Sequence, residues 1–353
     1  MLRPRYKTKC PHACKGLSSV ELDTVAIFYP QNLPPYKETG LVTSMQQSCV
    51  RIPTRILVDG LTLRIRQILG IGAFVVVYKA VDEEGPWQIY ALKEVICLNA
   101  SQFHNAVREV QILKQLSHEN VISLIGVDHL HDAQGLHMLI LTEFCVGGNL
   151  NERLHRPSSD ETNERWIRKI SSAVVYLHLH DIVHLDLKAD NVLLTATGDI
   201  KLADFSLARE FIPVKQFVEY GDDGSGMMSY IQKYIDSRVG PPHWVAPEFF
   251  HRRYNKRADS FSLGTLIFGI LERDFIKFRG RAYYGAYVSI PQADFRGHIR
   301  LARVGIGFAM ATYDPNITIQ FSRARAQGSS ALQRIALNAM QYNKSSSKRS
   351  GNL

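Results

Sequence analysis

Eight residues constrain this chain more than anything else in it: His184-Leu185-Asp186-Leu187-Lys188-Ala189-Asp190-Asn191, followed a short way on by Ala203-Asp204-Phe205-Ser206. A loop with this spacing gathers three kinds of group around one point. The carboxylate of Asp186 can serve as a base, the ammonium of Lys188 can neutralise a phosphate, and the amide oxygen of Asn191 can ligate a metal. Asp204 adds a second oxygen for a hard cation such as Mg2+. Phosphoryl transfer needs these parts, because the charge spread over the transferring group must be neutralised while the accepting hydroxyl is aligned.

Upstream, short apolar runs separated by glycine predict three strands, over 63–69, 75–80 and 89–95. Between the first two lies Gly70-Ile-Gly72-Ala-Phe74-Val75, a hairpin in which glycine lets backbone amides approach anionic oxygens. A tight turn with no ligand fits those two glycines equally well. Lys93 sits on the third strand among apolar neighbours, where an ammonium demands anionic company. Val107, Val110, Leu113 and Leu116 recur at helical spacing, and Glu109 on that helix is the natural partner for Lys93. Strands are expected again over 121–127 and 136–142, then a helix whose face carries Trp166, Ile167, Ile170, Ala173, Val174 and Leu177. The pattern is a small sheet lobe followed by a larger helical one. Residues 1–60 lack periodicity and read as a mostly unstructured extension, and Cys10 and Cys14 there fall short of the four ligands of a structural zinc site.

Composition excludes several classes. No apolar stretch approaches the roughly 18 residues of a membrane-spanning helix, and the N-terminus has no apolar signal region, so the chain is expected to stay inside the cell. Five cysteines in 353 residues read as reduced thiols. The net charge of +9 is concentrated after Phe275, where 12 basic residues meet 2 acidic ones. Such an excess reads first as a solvated face, and nucleic acid is not among the expected partners.

From Leu61 to the C-terminus the order of motifs resembles the eukaryotic protein kinase family. Glu143-Phe-Cys145 looks like the hinge after a gatekeeper Thr142, Ala246-Pro-Glu248 like the end of an activation segment, and Asp259-Ser-Phe-Ser-Leu-Gly264 like the start of the helix that follows. The resemblance implies an α+β, bilobal fold: an antiparallel N-lobe with one helix over 61–142, a hinge over 143–148, a mainly helical C-lobe over 149–349 and a tail over 350–353. It implies ATP and Mg2+ as cofactors and a protein substrate; no oligomeric state follows from it. Catalysis would fall to Asp186 and Lys188 with Lys93 and Glu109, metal binding to Asn191 and Asp204. Nucleotide contacts would come from Gly70, Gly72, Val77, Ala91, Lys93, Thr142, Glu143, Cys145 and Leu193, and Leu113, Leu124, His184 and Phe205 would form an apolar spine. Within the family, the text from Glu143 to Asn151, Ala258 to Gly264 and Leu271-Glu-Arg273 is similar to the Clik group of serine/threonine kinases, which favours the nucleus over the cytoplasm.

Three positions depart from the family pattern: Val75 replaces a loop glycine, Leu185 the usual arginine, and Ser206 a glycine. None removes a catalytic group, and an ATP-binding pseudokinase or scaffold is the alternative to an enzyme. Leu185 cannot pair with a phosphate, so activity is expected not to depend on docking one there. The segment from Asp204 to Glu248 spans 45 residues, with Ser225, Ser229, Tyr230 and Tyr234 as candidate phosphosites. Lys188 is the serine/threonine signature, whereas Pro241-Pro-His-Trp244 looks closer to a tyrosine-kinase segment. Glu248 is expected to meet Arg349, weakly, because the helix that normally follows is missing and the chain reads as truncated.

Overall fold

Valine and isoleucine alternating with polar residues favour half-buried strands, and residues 55–143 accordingly build a six-stranded sheet in the order β1-β2-β3-β4-β6-β5. Its strands are β1 (Arg55–Val58), β2 (Leu61–Ile71), β3 (Val75–Asp82), β4 (Ile89–Cys97), β5 (Leu124–Asp132) and β6 (Gly135–Glu143). The computed structural model describes residues 54–72, 74–85, 87–132, 135–211, 218–219, 244–251, 253–278, 280–293, 299–322 and 330–341. The chain divides into two units, one of residues 1–97 and 125–144, the other of residues 98–124 and 145–353. Cys10, Cys14, the four candidate phosphosites, Pro241 to His243 and Arg349 lie outside the described residues.

Two boundaries differ from the sequence reading. The sheet begins at Arg55 rather than Leu61, because β1 pairs antiparallel with β2 from Arg55↔Arg64 to Val58↔Leu61. The strand expected from Val121 begins only at Leu124. Residues 120–122 are diverted instead to another strand: the Ile122 amide donates to the Leu202 carbonyl at 2.9 Å, and the Leu202 amide to the Asn120 carbonyl at 2.8 Å.

Register decides which face of the sheet does what. Tyr78 pairs with Leu92, which pairs with Leu141, and this face forms an apolar core with Val76, Ala80 and Leu139. Because strand side chains alternate with period two, the residues between them point the other way: Val77 opposite Gly70 and Lys93, and Ala91 opposite Thr142.

The second unit starts with α1 (Ala100–Gln115), whose N-cap Asn99 accepts from the Gln102 amide and whose buried face includes Glu109, Val110 and Leu113. Then come the short α2 (Leu150–Arg153), α3 (Asp160–Leu179) capped by Ser159, and β7 (Ile182–Val183). A hairpin of β8 (Val192–Leu194) and β9 (Ile200–Leu202) follows, then β10 (Arg209–Glu210), which pairs with β7. The short β11 (Val218–Glu219) and β12 (Arg253–Tyr254) pair with each other. The unit is built around α4 (Lys256–Glu272), buried along nearly its whole length.

After α4 the lobe expected to be mainly helical carries two antiparallel hairpins, β13 (Phe275–Phe278) with β14 (Arg281–Tyr284) and β15 (Tyr287–Ala293) with β16 (Ile299–Gly305). Gly280 at φ +79° closes the first, a two-residue loop that needs left-handed backbone. The last two helices among the described residues are α5 (Ile306–Thr312) and α6 (Ser330–Ala339). An apolar cluster joins Leu185, Trp244, Phe261, Phe268, Ile306 and Met340. Among the described residues no helix is long and apolar enough to cross a membrane.

Candidate active site

The loop between β7 and β8 carries the strongest sequence signal, and one buried carboxylate organises it. Asp259, fully buried in the first turn of α4, accepts the amides of His184 and Leu185 at 2.8 Å each and the His178 imidazole at 3.0 Å. These bonds hold Leu185 at φ +67°, a conformation that L-residues adopt at a cost. The leucine side chain turns into the apolar cluster with Trp244 and Phe249, which accounts for an apolar residue at this position.

His184 is fixed from both ring nitrogens. Nδ1 accepts the Asp186 amide at 3.2 Å, so Nε2 carries the proton and donates to the Ala203 carbonyl at 3.1 Å. Its ring lies 4.8 Å from that of fully buried Phe205.

Asp186, Lys188 and Asn191 meet. The Lys188 ammonium donates to Asp186 Oδ2 at 2.7 Å and lies 4.5 Å from the centre of the Trp244 ring. The Asn191 amide nitrogen donates to the Asp186 carbonyl at 2.9 Å and to Oδ2 at 2.8 Å, leaving its own oxygen for a metal. Oδ1 of Asp186 is buried and accepts no hydrogen bond from the described residues. Burial pushes the Asp186 carboxyl up, Lys188 opposes that shift and the charge of Asp204 adds to it. Asp204 is exposed, at φ +60°, just after β9. Two oxygen donors from the protein suit Mg2+, which keeps most of its coordination for water and phosphate.

The nucleotide candidates divide between the units. Gly70, Val77, Ala91, Lys93 and Thr142 share the face of the sheet opposite its core, and Thr142 Oγ1 donates to the Ala91 carbonyl at 3.4 Å. The Gly72 amide donates to the Val75 carbonyl at 2.7 Å, closing the turn. A side chain at Gly70 would meet nothing within 4 Å, and one at Gly72 only ordinary contacts, so packing within the unit does not require either glycine. Glu143 ends β6; Cys145 is buried, and Leu193 lies on β8. Lys93 belongs to the first unit, and Glu109 to the second.

Glu248 is pushed up by burial, opposed by its own backbone hydrogen bond and the charge of Arg257. Its expected partner Arg349 is outside the described residues. Sequence reasoning named Asp259 as part of a motif and missed what it does. The local signal was an aspartate in the first turn of a helix whose later residues are mostly apolar. Nothing in the text of the chain announced the Asp190–Arg281 contact described below.

Known proteins resemble this chain over the stretch that carries these residues. Residues 63–287 match the family model described as "Protein kinase domain". The Arabidopsis thaliana protein "Serine/threonine-protein kinase WNK8" is 31% identical over 215 residues, covering 58% of this chain and 34% of that protein. The human "Serine/threonine-protein kinase ULK3" is 30% identical over 220 residues, covering 60% and 42%. The human "Mitogen-activated protein kinase kinase kinase 19" is 29% identical over 211 residues, covering 57% and 15%. The chain therefore spans less than half the length of each of these relatives.

Proposed function

We propose that this chain, which belongs to the protein kinase family, transfers the γ-phosphoryl group of ATP to a serine or threonine hydroxyl of a protein substrate. The observation that carries the reading is Oδ1 of Asp186, buried and without a hydrogen-bond partner among the described residues, set beside an ammonium and an amide that hold the rest of the carboxylate still. Oδ1 accepts the hydroxyl of the substrate, orients its lone pair toward phosphorus and takes its proton late in the transfer. In the second unit Lys188 neutralises the γ-phosphate, and in the first unit Lys93, on the sheet face opposite the core, is the cation offered to the α- and β-phosphates. Asn191 and Asp204 are the residues that would hold Mg2+, which supplies charge neutralisation when bound. Within the first unit, Gly70 and Gly72 leave room for phosphate oxygens at the backbone, and Val77, Ala91 and Thr142 share one face of the sheet with Lys93 as the residues offered to the nucleotide.

Lys188 and the serine/threonine kinases among the relatives favour serine or threonine over tyrosine as acceptor. The similarity to the Clik group, carried by residues 143–151 and 258–264, favours the nucleus. Leu185 makes activity independent of a phosphate docked beside Asp186.

The test is phosphorylation of dephosphorylated casein by the purified chain with Mg2+ and ATP, run beside Asp186→Asn. Loss of about 100-fold or more in kcat is expected for the variant, with Mg-ATP binding retained. Equal background labelling by both proteins, with nucleotide bound by both, would leave a nucleotide-binding scaffold as the correct reading.

A further inference from the structure

The residues of the proposed transfer hang on a small piece of structure. Asn191 ends a single 3-10 turn, Ala189–Asn191, that has no side-chain cap and one local backbone bond, from the Asn191 amide to the Lys188 carbonyl at 3.0 Å. Turns of this length and geometry are weak alone. The Ala203 amide donates to the Asn191 carbonyl at 2.8 Å and anchors the end of the turn, and its middle needs a hold of its own.

The middle residue of that turn is Asp190, whose side chain is only 18% exposed. Its Oδ1 accepts a hydrogen bond from the guanidinium of Arg281, the first residue of β14, 91 positions away. Glu152 of α2 lies 3.8 Å from the same guanidinium, and the Tyr283 ring packs 5.4 Å from it.

Arg281 is itself firmly mounted. Asn151, with no exposed surface, donates its amide to the Ala282 carbonyl at 2.8 Å and accepts the Tyr284 amide at 3.1 Å, so one side chain replaces a neighbouring strand along β14. At the base of the hairpin Arg303 donates to both carboxylate oxygens of Asp274 at 2.6–2.7 Å, and Arg273 donates to the Leu154 carbonyl at 3.1 Å. A hairpin bolted at its base and along one edge presents its first β14 side chain at a fixed place.

We infer that Arg281 is a positioning residue for the catalytic loop, and that the β13–β14 hairpin is the brace through which it acts. The guanidinium fixes Asp190, Asp190 fixes the 3-10 turn, and the turn keeps the Asn191 amide on Asp186. A charge-assisted bond onto a mostly buried carboxylate is stronger than an exposed ion pair and more directional. The brace contains none of the residues offered to the nucleotide, so it acts on the transfer step rather than on nucleotide binding.

The catalytic part of this inference rests on the kinase reading; the mechanical part does not. The experiment uses the full chain as wild type, Arg281→Ala, Arg281→Lys, Asp190→Asn and the Arg281→Ala/Asp190→Asn double variant. It measures steady-state casein phosphorylation and amide hydrogen exchange over residues 186–194. Arg281→Ala is expected to lower kcat about tenfold with KM for ATP within about twofold, and to speed exchange over 188–192 about tenfold while α4 stays unchanged. Arg281→Lys restores most of both. The double variant matches Arg281→Ala, since the two residues act as one unit. Unchanged exchange over 188–192 in Arg281→Ala, additive losses in the double variant, or a rise in KM with kcat intact would each overturn the brace. A wild-type chain without turnover would sink the kinase reading alone, and the exchange measurement would still decide the brace.

Discussion

Leu185 and His137 show how much one side chain settles. The left-handed backbone at Leu185 costs roughly 1–2 kcal/mol, while burying a leucine returns roughly 1.5–3 kcal/mol and Asp259 ties down its amide. The leucine is therefore fitted to its place, although the family pattern has arginine there. Restoring the pattern with Leu185→Arg would put a charge among the apolar side chains of Trp244, Phe249 and Val183. A loss of about 3 kcal/mol or more is expected in urea melts; a change below about 1 kcal/mol would show that the arginine finds a way out. His137, 3% exposed, sits between two carboxylates: Nδ1 lies 2.7 Å from Glu94, which also accepts the Tyr78 hydroxyl, and Nε2 lies 3.0 Å from Asp132. The hydrogen bond to Glu94 raises its pKa, burial opposes the rise, and the charges of Glu94 and Asp132 add to it. With the folded value above the unfolded value of about 6.5, the stabilisation is complete below about pH 6.5 and disappears as pH rises through the folded value. His137→Gln should therefore destabilise the protein more around pH 6 than around pH 9. Equal losses in denaturant midpoints at the two values would mean the imidazole is held neutral.

Helix α4 carries the second unit, and glycine lets its neighbours come close. A Cβ at Gly264 would lie 2.8 Å from Met340 Cγ, 2.9 Å from the Ala336 carbonyl and 3.0 Å from Ala339 Cβ, so the approach of α6 to α4 depends on the missing side chain. The flexible methionine can move; the Ala336 carbonyl cannot without moving α6. Gly264→Ala should cost about 1–3 kcal/mol, after the small gain in helix propensity is subtracted. Thermal unfolding of the variant checks this, and a melting temperature at or above wild type would mean α6 is loosely attached. Helices α1 and α3 were legible in the sequence because periodicity is local, and the start of α4 through the family resemblance; in the structure Asn99, Ser159 and Asn255 cap these three by accepting a first-turn amide. The hairpins after α4 were not, because their signal is a short alternation around Gly280 that the expectation of a helical lobe overrode. Strand β1 was missed for a related reason. Four residues carry too little pattern until their pairing with β2 is known.

The family match ends at residue 287, yet the core of the second unit does not. Ile306, Met310 and Met340 belong to the same apolar cluster as Leu185, Trp244 and Phe261. A chain cut after Tyr287 would expose that cluster's inner surface, and each lost large side chain costs about 2–5 kcal/mol against a typical domain stability of about 5–15 kcal/mol. Expression of residues 54–287 should give aggregated or partly unfolded protein, whereas residues 54–341 should give a cooperative melt. A soluble shorter fragment with the same unfolding midpoint would show that 288–341 only decorates the domain.

The text of the chain held the chemistry: Asp186, Lys188, Asn191 and Asp204 stand within 19 positions on either side of one short hairpin, so local geometry nearly suffices to gather them. Alternation puts Ala91 and Lys93 on one face of their strand, but only the pairing of strands adds Val77 and Thr142 to that face. The hydrogen bonds that steady these groups were out of the sequence's reach. Asp259 reaches Leu185 across 74 positions, Arg281 reaches Asp190 across 91, and Asn151 reaches Ala282 across 131. No periodicity links residues so far apart; folding brings them together because burying the apolar faces of α4 and its neighbours leaves these polar groups no partners but one another.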